Sequence, residues 1–249
     1  MHYRHRGVAI LIRAPALALA LSLTMLAAAG CAAAYRWDAG HEDPAKDQIY
    51  TVRSGDTLYS IAWRYGLDYR ELATHNGIGS DFMIYPGQDL DLVNGAQRVS
   101  KSIRRREDAA ATSPVNVSPI PSHPMPRGAW QWPVKGALVA KFGDPNATGK
   151  GIAIGGELGE AVLASADGKV VYAGSGLIGY GKIIIVKHSE EYLSAYGHNE
   201  TIYVQEGAEV RQGDRIASVG LGPNNRPLLH FEIRINGKAV DPLKYLPSR

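Results

Sequence analysis

A chain of 249 residues with 45% hydrophobic and 20% charged residues has an ordinary globular composition and room for one or two domains. Its formal net charge of +3 is too weak to point to nucleic acid, and its single cysteine, Cys31, excludes an intramolecular disulfide framework and a cysteine-rich zinc site. The first residues, MHYRHRGVAILIRAP, are basic and free of acids, and ALALALSLTMLAAAG follows from Ala16 to Gly30. A membrane-spanning helix needs about 20 apolar residues, and Arg13 and Pro15 interrupt any longer run. Residues 1–30 therefore read as a signal peptide with its apolar h-region rather than as a mature span.

That run ends in small residues directly before the cysteine, and AAGC resembles the lipobox of bacterial lipoproteins. The resemblance implies that Cys31 is lipidated and becomes the new N-terminus, with residues 31–48 as a tether. Each buried lipid methylene contributes about 0.8 kcal/mol of membrane affinity. By resemblance to enterobacterial sorting rules, Ala32 in place of Asp after the cysteine implies the outer membrane of a Gram-negative bacterium, with the protein facing the periplasm.

Residues 49–93 predict a βααβ unit. Tyr50, Thr51 and Val52 favour a strand, and Asp56 is placed to N-cap a helix whose apolar Leu58, Ile61, Ala62 and Tyr65 follow the i, i+3, i+4, i+7 spacing. Gly66 stops that helix, and Asp68 with Glu71 forms a capping-box-like pair for a second one through Leu72. Ile84-Tyr85-Pro86-Gly87 then turns into a closing strand carrying Leu90 and Leu92. With SGDTLYSIA, Asn76 and YPGQ in this order, the segment resembles a LysM module. The resemblance implies binding to the N-acetylglucosamine-containing strands of peptidoglycan, between the loop at Gly55, Asp56 and Thr57 and the loop at Ile84, Tyr85 and Pro86.

Residues 94–128 lose periodicity. They begin with the basic run RVSKSIRRR, which reads as a solvated linker charge run rather than a grip on an acidic polymer, and continue into TSPVNVSPIPSHPMPRG. Such a Pro-rich stretch buries no core and tends towards extended conformations, so it predicts a disordered spacer that lets a cell-wall-bound front module and the C-terminal domain act at some distance from the membrane anchor.

Residues 129–249 read as a single, mainly antiparallel β domain, in which KVVYAG, KIIIVKH and RIASVG alternate with glycine turns such as GSGLIGYGK. In RPLLHFEIR, Leu229, Phe231 and Ile233 point to one face of a predicted strand, and Leu228, His230, Glu232 and Arg234 to the other. Leu228 is a misfit on that polar face, where a second imidazole beside His230 would serve a metal.

The segments KVVYAG, YLSAYGHN, VRQGDRIASVG and LHFEIRINGKAVDPLKYLP together resemble the LytM, or M23, domain of zinc-dependent peptidoglycan endopeptidases. In active members a His-x-Gly-Ile-Asp segment supplies two zinc ligands and the second His of a His-x-His strand the third. Carried onto GKGIAIGG, the first two ligand positions fall on Gly149 and Ala153, and only His230 remains. The Tyr-x-His histidine survives as His198, while the first His of the pair has become Leu228. A catalytic zinc needs about three protein ligands, so the resemblance implies a degenerate domain with no metal, no cofactor and no catalytic residue. A site built from His198, His230 and Glu232, with His188 as the remaining histidine, is the weaker reading.

The whole order of lipoprotein signal, LysM module, Pro-rich linker and degenerate LytM domain resembles the NlpD family of murein hydrolase activators, and also its shorter lipoprotein paralogues of similar architecture. The resemblance implies a non-catalytic activator of a periplasmic N-acetylmuramoyl-L-alanine amidase in cell division, with peptidoglycan and the amidase as partners and the membrane reached through the lipid. Gly149, Ala153, His198, Leu228 and His230 are expected to line the vestigial groove that receives the amidase regulatory region, with Tyr180 and Arg226 at its rim. The rival expectations are a structural tether between the outer membrane and the wall, and a zinc murein endopeptidase with unusual ligands.

Overall fold

The computed structural model describes residues 49–92, 129–144 and 149–249. The signal peptide, Cys31 with its tether and the linker expected over 94–128 lie outside the described residues.

The N-terminal module is built as β1 (Ile49–Thr51), α1 (Leu58–Tyr65), α2 (Tyr69–His75) and β2 (Asp89–Asp91), with β1 and β2 antiparallel and Tyr50 opposite Leu90. Thr57, not Asp56, is the N-cap of α1: its hydroxyl accepts from Ser60 N, and Ser60 Oγ accepts from Thr57 N. An N-cap side chain must reach the amides two and three residues on, and Asp56 stands one position too early. Its carboxylate instead accepts from Tyr50 Oη at 2.6 Å and Arg53 N at 2.9 Å, which braces the loop. Gly66 ends α1 at φ 67°, where its amide meets the Ala62 and Trp63 carbonyls, and Asp68 caps α2 through Arg70 N.

The C-terminal domain contributes β3 (Leu138–Ala140), β4 (Ile152–Gly155), β5 (Ala161–Leu163), β6 (Gly168–Gly174), β7 (Lys182–Lys187), β8 (Tyr192–Ile202), β9 (Glu209–Val210), β10 (Arg215–Val219), β11 (Leu228–Ile235) and β12 (Lys238–Val240). Its sheet runs in the order β3-β4-β11-β8-β7-β6-β9, with β10 joining β5 to β8 and β12 added to β11. Every pairing is antiparallel. The four sequence segments read as strands are β6, β7, β10 and β11.

The run Ile183–Val186 in β7 is apolar without alternation because both faces of the sheet are covered. Ile184 and Val186 join Ile152, Ile154, Tyr196, Leu229, Phe231 and Ile233 in one core. Ile183 and Ile185, with Tyr172, Leu177, Tyr180, Leu193 and Ala195, join the core of the LysM-like module: Leu58, Ile61, Trp63, Leu72 and Leu90 belong to the same cluster. Each fully buried side chain of this kind contributes about 1.5–3 kcal/mol. The two domains therefore share a core, a contact that the sequence reading did not anticipate. Polar contacts reinforce the seam. Tyr69 Oη donates to Glu190 Oε2 at 2.9 Å, Arg70 Nη2 to Asn236 Oδ1 at 2.6 Å, and Thr57 Oγ1 to the Val171 carbonyl at 3.2 Å.

Candidate functional site

Strand β11 lies between β4 and β8, which sets His230 opposite Ala153 on one side and Gly197 on the other. Leu228, His230, Glu232 and Arg234 share one face, as the alternation requires. That face is not solvated: all four are buried, and Glu232 is fully enclosed. Glu232 accepts from Tyr180 Oη at 2.8 Å, is bonded to His230 Nε2 at 2.8 Å, and accepts from Arg234 Nε and Nη2 at 3.0 Å each. Burial alone raises its pKa. The Arg234 charge and the bonds from His230 and Tyr180 outweigh that and hold the carboxyl at about 2.

An ionised carboxylate only accepts, so the bond is donated by His230 Nε2, and Nδ1 is the other nitrogen of the ring. That Nδ1 is buried and has no hydrogen-bond partner among the described residues. Gly151 lies against the same ring, close enough that a Cβ there would stand 2.8 Å from His230 Cε1. The ring of His198 packs edge-on at 6.2 Å between centroids. Burial first, and the neighbouring His230 second, push His198 down to about 3, so it is neutral at neutral pH.

Of the residues expected in the groove, Ala153, His198, Leu228 and His230 come together on this part of the sheet. Gly149 sits just before β4, at φ 67° with open space beside it, and the Arg226 side chain is exposed beyond a 3-10 turn at Pro223–Asn225. Tyr180 was expected at the rim and is instead in the interior, 3% exposed, because its hydroxyl is drawn in to Glu232. Burial and the Glu232 charge push its phenol upwards. His188 belongs to a different network, with Nδ1 at 2.7 Å from the Asp167 carbonyl and Nε2 at 2.7 Å from Ser194 Oγ.

The donor set does not fit zinc. Ala153 offers no donor opposite His230, and Glu232 is turned to Nε2 of that ring rather than beside Nδ1. Among the described residues no group of three or more His, Cys, Asp or Glu is placed to hold a metal ion.

Sequence reasoning missed what closes the far end of this face. Arg234 Nη1 donates to the Trp63 carbonyl at 2.7 Å, and its guanidinium carbon lies 3.6 Å from the centroid of the Trp63 ring. The available signal was an arginine in phase with His230 and Glu232 on a strand otherwise made of core residues.

On the LysM-like module, Gly55 takes φ 85° and the loop with Asp56 and Thr57 faces the β-domain, since the Thr57 hydroxyl is bonded to Val171. The second loop has Ile84 half-buried, and Tyr85 and Pro86 exposed. Gly87 N donates to the Val52 carbonyl at 2.8 Å, which ties the two loops side by side.

Comparison with known proteins gives two family matches: the LysM domain over residues 50–92 and peptidase family M23 over residues 147–242. The chain is 42% identical over 242 residues to the lipoprotein NlpD/LppB homolog of Pseudomonas aeruginosa, covering 85% of this chain and 81% of that one. It is 36% identical over 257 residues to the murein hydrolase activator NlpD of Escherichia coli, covering 80% and 68%. It is 38% identical over 229 residues to the uncharacterized lipoprotein YgeR of the same organism, covering 89% and 88%.

Proposed function

From the premise that this chain belongs to the NlpD/LppB lipoprotein family, a LysM domain followed by an M23 domain, we propose that it activates a periplasmic N-acetylmuramoyl-L-alanine amidase without cleaving peptidoglycan itself. It is an outer-membrane lipoprotein, anchored through Cys31 and facing the periplasm. Its LysM domain binds peptidoglycan through the loops at Gly55–Thr57 and Ile84–Pro86. Gly149, Ala153, His198, Leu228 and His230 form the seat for the amidase regulatory region, with Arg226 at its edge, and Tyr180 supports the seat from beneath.

The observation that carries this reading is the pair Ala153 and His230. They are register partners, so a ligand and a non-ligand face each other where a zinc site needs donors on both strands. A sheet that keeps this shape and loses its donors is suited to binding rather than to hydrolysis. The test is release of labelled fragments from purified peptidoglycan by residues 32–249, alone and with each amidase of the host. Release only in the mixture is expected, and Leu228→Glu, confirmed as folded by its thermal midpoint, is expected to abolish it. Release by the protein alone, stopped by a chelator, would overturn the non-catalytic reading.

A further inference from the structure

The seam between the two domains leaves an open cleft of about 630 Å³ that belongs to neither domain alone. One wall is the LysM segment Ser54–Asp56; the other is made by Tyr172–Gly176, at the end of β6, and by Val204–Glu206, after β8. The volume lies in the range of small-ligand sites.

The walls carry short side chains, Ser54 and Gly55 facing Ala173, Gly174, Ser175 and Gly176. Such segments present backbone amides and carbonyls, which suit a ligand dense in hydroxyl and acetamido groups. Charge narrows the class further. The lining contains no Lys, Arg or His, and its two acids are already engaged. Asp56 accepts from Tyr50 Oη and Arg53 N, and Glu206 Oε1 accepts from Ala173 N at 3.3 Å. Arg64, behind the wall, is held by Tyr50 and the Gly176 carbonyl. Nothing here grips a phosphate or a carboxylate, and an anionic ligand would meet two acids.

The walls are also fixed relative to one another. Thr57 Oγ1 is bonded to the Val171 carbonyl, Arg64 Nη2 to the Gly176 carbonyl, and Gly176 N to Tyr172 Oη at 2.9 Å. The cleft opens from the same loop that the LysM reading assigns to peptidoglycan.

We propose that the M23 domain supplies a second wall of the glycan site, so that a neutral N-acetylated sugar strand held by the LysM loop continues across Ser175 and Gln205. This rests on the LysM domain binding glycan at all. Retention on N-acetylglucosamine oligomers is measured by calorimetry for the parent, Ser175→Trp, Gln205→Trp and Tyr85→Ala, all at exposed positions and each checked by its thermal midpoint. The two tryptophans come from different segments and place an indole in the cleft. Each is expected to weaken binding at least tenfold, and Tyr85→Ala to weaken it independently through the second loop. Unchanged affinity in both tryptophan variants, with Tyr85→Ala impaired, would overturn the shared wall and leave the LysM reading standing. A parent that does not bind the oligomers would sink the LysM reading itself, and the shared wall with it.

Discussion

Arg234 stands over the indole of Trp63, its guanidinium carbon 3.6 Å from the ring centroid, and donates to the Trp63 carbonyl at 2.7 Å. Each is 1% exposed, although one belongs to the M23 sheet and the other to a LysM helix. The stacking is a desolvated cation–π contact, of a kind that contributes about 2 kcal/mol. The larger consequence concerns Glu232, whose buried charge is paired with the Arg234 guanidinium at 3.0 Å. Arg234→Leu leaves that charge unpaired, and a loss of about 3–5 kcal/mol in urea unfolding is expected. Trp63→Ala in the same background is expected to be non-additive, which a double-mutant cycle measures. Because the core is shared, parent unfolding should follow a single transition by tryptophan fluorescence and by circular dichroism.

Gly237 tests the closeness of the two domains. It follows Asn236 in the two-residue turn between β11 and β12, at φ 76°, and a Cβ there would stand 2.3 Å from the Leu67 carbonyl oxygen. Gly207 has a similar φ of 88° with open space around it. Alanine at Gly207 should cost about 1–2 kcal/mol of left-handed strain, while Gly237→Ala should cost more, because the LysM module must also move. Equal losses in chemical denaturation would show that the close approach is not maintained in solution.

Acid should destabilise the fold well above the carboxylate range. His198 is held at about 3 against an ordinary 6.5, so the unfolded chain takes up a proton that the folded chain refuses. Its contribution is complete above about pH 6.5 and is lost progressively as pH falls towards 3. Near pH 5 the loss from this group is on the order of 1–2 kcal/mol. His198→Asn, chosen because Asn tolerates the φ of 61° at this position, should flatten the fall in thermal midpoint between pH 7 and 5. An unchanged slope would place the proton uptake elsewhere. Glu232 acts later: held at about 2 against 4.5, it withdraws its stabilisation only as pH drops below 4.5 towards 2.

Metal should be dispensable for stability. With Ala153 opposite His230 and Leu228 on the same face, purified protein is expected to carry far less than one equivalent of zinc, and a chelator should leave its thermal midpoint within about a degree. Near-stoichiometric zinc that resists dialysis, with a midpoint lowered by chelation, would contradict the reading of the donor set.

Local chemistry was legible in the linear order. Gly66 and Asp68 end and begin their helices through groups a few residues away, β6, β7 and β10 declare themselves by β-branched runs between glycine turns, and β11 by its alternation. Gly149 and Ala153 at the first two ligand positions of the M23 resemblance, and Leu228 at the first His of its pair, are also properties of the sequence alone. At the start of α1 the outcome turned on reach: Asp56 and Thr57 are both capping residues, and only Thr57 is spaced to meet Ser60 N. Tertiary structure decided what periodicity cannot carry. An apolar face announces that it will be buried but not by what, so Ile183 and Ile185 gave no sign that a LysM core would cover them. The polarity of the His230, Glu232 and Arg234 side of β11 was legible, but its burial was not; it is interior because Tyr180 and Trp63, 54 and 171 residues from Arg234 along the chain, bond Glu232 and Arg234 there.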